Sequence, residues 1–468
     1  MEYCRLQLDP SRKEPLYRQL YLSIAAQIRS GTLPQGEKLP GKRAMAGQLG
    51  VSQNTVETAY EMLLSEGYLR SKPRSGFYVQ AMPTRPQVTA QGRPVCPPKR
   101  PAPPQAAYDF ATSAVDTACF PYATWARITR DIFSDHRELL SRGEPQGEIE
   151  LREELCRYLA ENRGMQVEPA QVVIGAGVEY LCGLIVRLLG GGCTFGLEEP
   201  GYQRNREIIY NQGCQVCALP VDGEGVDMAA LEKSSAQAVY VTPAHQFPTG
   251  VMMSAARRMA LLDWAEAAQG RMIIEDDYDS EFRYEFRPVP ALQGLDTGGK
   301  VIYLNTFSRS LAPAFRMAYM VLPPQLLKRY RQDFAFYSCT VSRFEQQCLC
   351  RFIRDGHFSR HLNRARTLYR ARRDTLMQEL ERMAPEGALQ FSGGQAGTHL
   401  IVSVANGMDE AALVGACLRQ GVRVYGLSQF CAQDGTAHSA SVVMGYAGME
   451  RGRIEQAVRR IGKAWFGD

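Results

Sequence analysis

A two-part fold is predicted. An N-terminal unit, mostly α-helical with a small β wing, precedes a larger α/β body with a mainly parallel central sheet and a smaller α/β portion at its C-terminal end. Three patterns predict it. Apolar residues recur at helical spacing near the N terminus and then give way to two short strand-like runs. Between Gln80 and Ala107 the chain has eight prolines, no acidic residue and no apolar periodicity. From Tyr108 onward, short β-branched runs alternate with longer helical patterns, as in proteins built on parallel sheets.

In the first unit, Leu16, Leu20, Ile24 and Ile28 repeat every fourth residue and predict an amphipathic helix ending near Gly31. Ala44 to Leu49 is a second, shorter helix. Ser52 is a candidate N-cap for a third, with Val56, Tyr60, Leu63 and Leu64 on its inner face. Tyr68 to Val79 then forms two short strands around a turn at Pro73 to Gly76. The proline-rich stretch 80–107 is a linker, and in polyproline II geometry at about 3.1 Å per residue it spans up to roughly 90 Å. In the body (108–468), strands are expected at Val172 to Ile174, Thr194 to Leu197, Ala238 to Val241, Met272 to Glu275, Val301 to Leu304 and Ala318 to Leu322. A long basic helical stretch from Phe352 to Met383 leads to the last portion, with strands near Thr398 to Val402 and Ser441 to Met444.

A chain of 468 residues with 45% hydrophobic and 22% charged residues buries a large core. The most apolar stretch, Leu181 to Leu189, is short and carries Arg187, which argues against a membrane span and for the cytoplasm. Thirteen cysteines without a leader are expected as reduced core thiols. The Cys214/Cys217 pair has no second half at zinc-like spacing, so no metal is expected. The net charge of +5 is uneven: residues 1–107 hold fifteen Lys or Arg against seven Asp or Glu. A basic head on a mildly acidic body points to a polyanionic partner for the head.

The stretch from Leu39 to Val79, LPGKRAMAGQLGVSQNTVETAYEMLLSEGYLRSKPRSGFYV, resembles the GntR family of winged helix-turn-helix DNA-binding domains. Short polar side chains on the first turn of the third helix, Ser52, Gln53, Asn54 and Thr55, can reach phosphates and base edges of double-stranded DNA. Arg43 and the wing residues Lys72 and Arg74 would contact the backbone or minor groove. Family members commonly read SRNT where this chain has Ser52, Gln53, Asn54 and Thr55; Gln53 in place of arginine suits adenine.

IIEDDYDSEFRY (Ile273 to Tyr284), followed by TFSRSLAPAFR, resembles the fold-type I aminotransferase-like domain of MocR/GabR-type regulators, which use pyridoxal 5'-phosphate (PLP). The resemblance runs from about Tyr108 to the C terminus and implies a role for each matching residue. Asp276 pairs with the cofactor's ring nitrogen, Tyr278 bonds its 3' oxygen and Tyr202 stacks on the ring. Ala176, Gly177, Thr306, Ser308 and Arg316 form a phosphate cup, and Arg204 lines the effector site.

Two positions depart from the pattern. Arg309 stands where the Schiff-base lysine belongs, leaving no catalytic nucleophile, because a guanidinium does not surrender its proton as a lysine amine does. Gln429 stands where relatives that bind amino acids carry a carboxylate-clamping arginine. The expected function is a DNA-binding regulator whose body dimerises head to tail and senses PLP, an amino-acid–PLP adduct or another small anion, without turnover and with any PLP held non-covalently. Two rival readings are an active aminotransferase with an accessory DNA-binding head, and a regulator whose body is only a dimerisation scaffold.

Overall fold

The computed structural model describes residues 8–81, 106–284, 290–432 and 440–467. The chain divides into two compact units, Met1–Ala102 and Pro103–Asp468. The proline-rich segment expected at 80–107 lies almost entirely outside the described residues.

The head runs α1 (Leu16–Arg29), β1 (Lys38–Leu39), α2 (Lys42–Leu49), α3 (Gln53–Ser65), β2 (Leu69–Lys72) and β3 (Gly76–Val79). Leu20, Ile24 and Ile28 of the α1 stripe are buried, and they meet Met45 of α2 and Val56, Tyr60 and Leu63 of α3 in one core. Burying each such side chain contributes about 1.5–3 kcal/mol. Helix α2 starts two residues before the expected Ala44, capped by Gly41, because its first turn is polar and gives no apolar signal. Gly50, at φ +64, then turns the chain out of α2 in a left-handed conformation that suits glycine. Ser52 is the N-cap of α3, its hydroxyl accepting from the Thr55 amide at 3.2 Å. The expected hairpin is present, and β1 adds a third strand against β3. Two residues are too few to show alternation, so sequence periodicity missed it.

The body begins with β4 (Tyr108–Asp109), α4 (Tyr122–Asp135) and α5 (Ile149–Arg163). Its central sheet is assembled from β5 (Val172–Gly175), β6 (Thr194–Glu199), β7 (Gln215–Asp222), β8 (Gly225–Val226), β9 (Ala238–Val241), β10 (Met272–Asp276), β11 (Val301–Thr306) and β12 (Ala318–Val321). Between these strands lie α6 (Val178–Leu189), α7 (Gln203–Asn211), α8 (Met228–Lys233), α9 (Ala255–Glu266) and α10 (Phe307–Ser310). The strand order is β5-β12-β11-β10-β9-β6-β7-β8. Strands β11, β10, β9, β6 and β7 run parallel, while β12 is antiparallel to both its neighbours and β8 to β7. All six strands expected in this region form. Strand β7 was missed because its burial is mixed along its length, without the continuous apolar run of the central strands.

After α11 (Pro324–Asp333), the helical stretch expected over 352–383 is formed by the end of α12 (Arg343–Arg354) and by α13 (His357–Met383). Gly356, at φ +70, breaks the pattern between them. The last portion comprises β13 (Leu389–Ser392), β14 (His399–Val404), α14 (Glu410–Arg419), β15 (Val422–Arg423), β16 (Tyr425–Gly426), β17 (Ser441–Gly445) and α15 (Arg451–Phe466). Its second sheet has the order β13-β14-β17-β16, and β15 pairs with β4. Among the described residues, no helix is long and apolar enough to cross a membrane.

Candidate functional site

In the head, Arg43, Lys72 and Arg74 are exposed, and none has an ion-pair partner among the described residues. Their neighbour Lys42 is committed to Glu57. Lys72 lies over the Tyr78 ring, with Nζ 4.9 Å from its centroid, while Arg74 turns the wing at φ +59. On α3 the Ser52 and Thr55 hydroxyls are bonded to each other at 2.8 Å. Gln53 and Asn54 are exposed and make no side-chain hydrogen bond within the described head.

In the body, β10 and β11 end side by side, and a parallel sheet opens its ligand crevices at such carboxyl ends. A cavity of about 410 Å³ lies there, walled by Asp276, Tyr278, Thr306, Ser308, Arg309 and Arg316 from this edge, and by Tyr202, Arg204 and Gln429 from the facing segments. Residues scattered from 202 to 429 in sequence thus meet in one place. A larger cleft of about 740 Å³, beside Arg373 and Gly393, contains none of the expected residues.

Asp276 is buried, with Oδ2 accepting from the Tyr240 hydroxyl at 2.5 Å while Oδ1 has no hydrogen-bond partner. Burial pushes its carboxyl up to about 7, against the Tyr240 hydrogen bond and with help from nearby Asp277, Asp279 and Glu198. Burial likewise raises Glu198, below Tyr202, to about 7. An orphan carboxyl oxygen in a cavity wall suits a ring N–H, as the resemblance implies for Asp276. The Tyr278 hydroxyl is 3.0 Å from His245 Nδ1, and its ring stands edge-on to Tyr202. Tyr202 itself stacks on Phe247, with centroids 4.0 Å apart and planes 5° apart. One face of Tyr202 is therefore covered, leaving only the other for a ligand.

The expected phosphate cup is organised differently. The Ala176 amide donates to Thr340 Oγ1 at 2.9 Å and the Gly177 amide to the Gly175 carbonyl at 2.8 Å, so both are engaged within the protein. Val178 and Glu179, one step further along the chain, line the cavity instead. Thr306 caps α10, with its Oγ1 accepting from the Ser308 amide at 3.1 Å. Arg316 adopts φ +49 and donates from Nη2 to Glu179 Oε2 at 2.7 Å. Glu179 Oε1 accepts from Arg204 at 2.8 Å. Arg309, on α10, lines the cavity and donates to the Thr112 carbonyl. It has no carboxylate partner among the described residues, and Gln429 lies exposed at the rim.

The residues present thus fit PLP in part. The ring-nitrogen end is provided for by Asp276, the phosphate end is contested by Glu179, and the covalent end has no amine. Sequence reading missed Glu179 and Thr112, because neither position carries a signal until the fold brings it to the cavity.

Behind the cavity, buried His245, Asp279 and His399 have ligand atoms within 4.8 Å of one another. Nδ1 of His245 faces the Asp279 carboxylate at 2.9 Å and Nε2 the Gly393 carbonyl at 3.1 Å. Burial lowers its basicity, but the Asp279 charge outweighs this and holds it above its ordinary value. Both ring nitrogens of His245 are thus engaged within the protein. The trio is a polar core that supports Tyr278.

Comparison with known proteins places the geometry in context. Residues 108–461 match the family model "Aminotransferase class I and II". Residues 16–79 match "Bacterial regulatory proteins, gntR family". The chain is 36% identical to the uncharacterised HTH-type transcriptional regulator YdeL of Bacillus subtilis, over 96% of this chain and 97% of that one. It is 32% identical to the probable rhizopine catabolism regulatory protein MocR of Rhizobium meliloti, over 98% and 96%. Its structure is similar to that of a kynurenine aminotransferase from Pyrococcus horikoshii, with a TM-score of 0.68 and 26% identity, over 77% of this chain and 90% of that one.

Proposed function

The chain belongs to the MocR-type regulators, which join a gntR-family DNA-binding domain to a class I and II aminotransferase domain, and from that premise we propose that its body senses a small anion without turning it over. It is a transcriptional regulator of that type, and its winged helix implies binding to double-stranded DNA. One observation carries the proposal: the side chain in the cavity at the Schiff-base position is Arg309. An amine that loses its proton can attack an aldehyde, whereas a guanidinium with a pKa above about 12 cannot. The cavity keeps cations, a buried carboxyl and aromatic walls while lacking a nucleophile there.

The effector in this reading is PLP, an amino-acid–PLP adduct or another small anion, held non-covalently. If PLP binds, its ring supplies an electron sink. Asp276 then binds the ring nitrogen through Oδ1, Tyr278 offers its hydroxyl, the open face of Tyr202 takes the ring, and Thr306, Ser308 and Arg316 hold the anionic end. Arg204 and Gln429 stand at the mouth. The domains work as 1–79 for DNA, 80–107 as spacer and 108–468 as effector and dimerisation body, in a cytoplasmic head-to-tail homodimer. A curated relative from Corynebacterium glutamicum, 29% identical, is named as a pyridoxine biosynthesis regulator, which supports an effector of pyridine chemistry.

The test is an absorption spectrum of the purified protein after incubation with PLP, followed by borohydride. No reducible covalent adduct is expected. Its appearance would restore the enzyme reading. A second measurement, thermal unfolding with PLP, pyridoxal and amino acids, is expected to show a shift with one or more of them; no shift with any would leave the body as scaffold alone.

A further inference from the structure

Three arginines line the cavity, and they are not equivalent. Arg316 and Arg204 share one carboxylate, Glu179, whose two oxygens lie 2.7 Å from Arg316 Nη2 and 2.8 Å from Arg204 Nη1. Burial pushes the Glu179 carboxyl up, but hydrogen bonds led by that from Arg316 pull it below the ordinary carboxylate range. The Arg316 guanidinium lies close over Gly177: a Cβ there would come within 2.6 Å of Nη2. The guanidinium is thus seated at the start of α6, where a phosphate would have to sit, and Glu179 already holds that seat from the first turn of the helix. Carboxylate and phosphate compete for the same guanidinium N–H groups, and a tethered competitor acts at high effective concentration.

Arg309 is the contrasting case. No carboxylate pairs with it among the described residues, and it faces a cavity whose walls include Tyr202, Phe247, Tyr278 and Phe430. A partly desolvated cation in aromatic surroundings favours an anion. The orphan Oδ1 of buried Asp276 adds a hydrogen-bonding position for a ring nitrogen or hydroxyl.

We propose that Glu179 is a tethered anion that excludes phosphate from the cup, so that the cavity selects a non-phosphorylated aromatic carboxylate. Its carboxylate is held by Arg309, its ring lies on the open face of Tyr202, and its ring nitrogen or hydroxyl reaches Asp276. This inference rests on reading the cavity as a ligand site and narrows the effector class.

The test is isothermal titration of the full chain with 4-pyridoxate, a pyridine carboxylate without phosphate, and with PLP. The wild type is expected to bind 4-pyridoxate at least tenfold more tightly than PLP. Glu179→Gln is expected to tighten PLP binding at least tenfold, and Arg309→Met to weaken 4-pyridoxate binding at least tenfold, with thermal unfolding verifying that each variant is folded. Equal or tighter binding of PLP by the wild type, or a PLP affinity that Glu179→Gln leaves unchanged, overturns the proposal while leaving the cavity a ligand site. If neither ligand binds the wild type or either variant, the proposal and the ligand-site reading fall together.

Discussion

Replacing Arg43 with alanine tests the DNA-binding role of the head with little risk to its fold. The side chain is exposed on α2 and has no ion-pair partner among the described residues. Alanine is the stronger helix former, so the expected change in stability is within about 0.5 kcal/mol. Arg43, Lys72 and Arg74 are exposed cations of the head, and each is taken to neutralise one phosphate. Counterion release at about 0.9 per neutralised phosphate then predicts a slope of about −2.7 for the logarithm of affinity against the logarithm of salt. Between about 50 and 200 mM salt, one head thus loses about 40-fold in affinity, and Arg43→Ala, with a slope of about −1.8, loses about 12-fold. Two heads on one duplex double both slopes. Fluorescence anisotropy of a labelled operator duplex across a salt series measures them. Parallel lines for wild type and variant would refute the assignment of Arg43 to a phosphate; a loss confined to one base sequence would make it a base contact instead.

Other perturbations probe the body. Arg309→Lys restores an amine to the cavity and, combined with Glu179→Gln, is expected to give, with PLP, a visible absorption band that borohydride abolishes, where the parent gives none; a colourless double variant would mean the site has diverged beyond those two residues. Burial raises Asp276 and Glu198 to about 7, so the folded state favours their neutral forms. The stability this confers is complete below the ordinary carboxyl value of about 4 and is lost as pH rises through about 7. The urea midpoint is therefore expected to fall between about pH 4 and 7, and less steeply in Asp276→Asn; an equally steep fall in that variant removes Asp276 from the account. Arg163 Nε and Asp277 Oδ2 are 2.7 Å apart, with side chains only 4% and 0% exposed. Arg163→Met is expected to cost about 3–5 kcal/mol by leaving a buried charge uncompensated, and adding Asp277→Asn to recover part of it in a double-mutant cycle. Additive losses would show that the pair is not coupled.

Legibility in the sequence followed the range of the interactions concerned. The α1 stripe, the Ser52 cap and the central strands were readable because helical and strand periodicity and capping act over a few residues. Failures came where the signal was short or interrupted. Strand β1 has only two residues, and β7 alternates irregularly between buried and exposed. For the cavity, Asp276, Tyr278, Tyr202, Thr306, Ser308, Arg309 and Arg316 could be named from motifs and do line one space. Ala176 and Gly177 were named on the same grounds, yet their amides are used by Thr340 and Gly175. A motif specifies a turn before a helix; which acceptor its amides find depends on what packs against it.

The identity of residue 309 needed no structure. An arginine cannot do a lysine's chemistry wherever the fold sets it, because its proton affinity is a property of the side chain. The charge that an incoming ligand meets was a different matter. Glu179 and Arg316 are 137 residues apart, and no local pattern pairs them. Their contact arises because α6 follows β5 while the turn carrying Arg316 precedes β12, and those two strands lie side by side in the sheet. Electrostatic energies fall off with distance, so it was the tertiary approach that engaged two of the cavity's arginines on one carboxylate and left Arg309 without a carboxylate partner among the described residues.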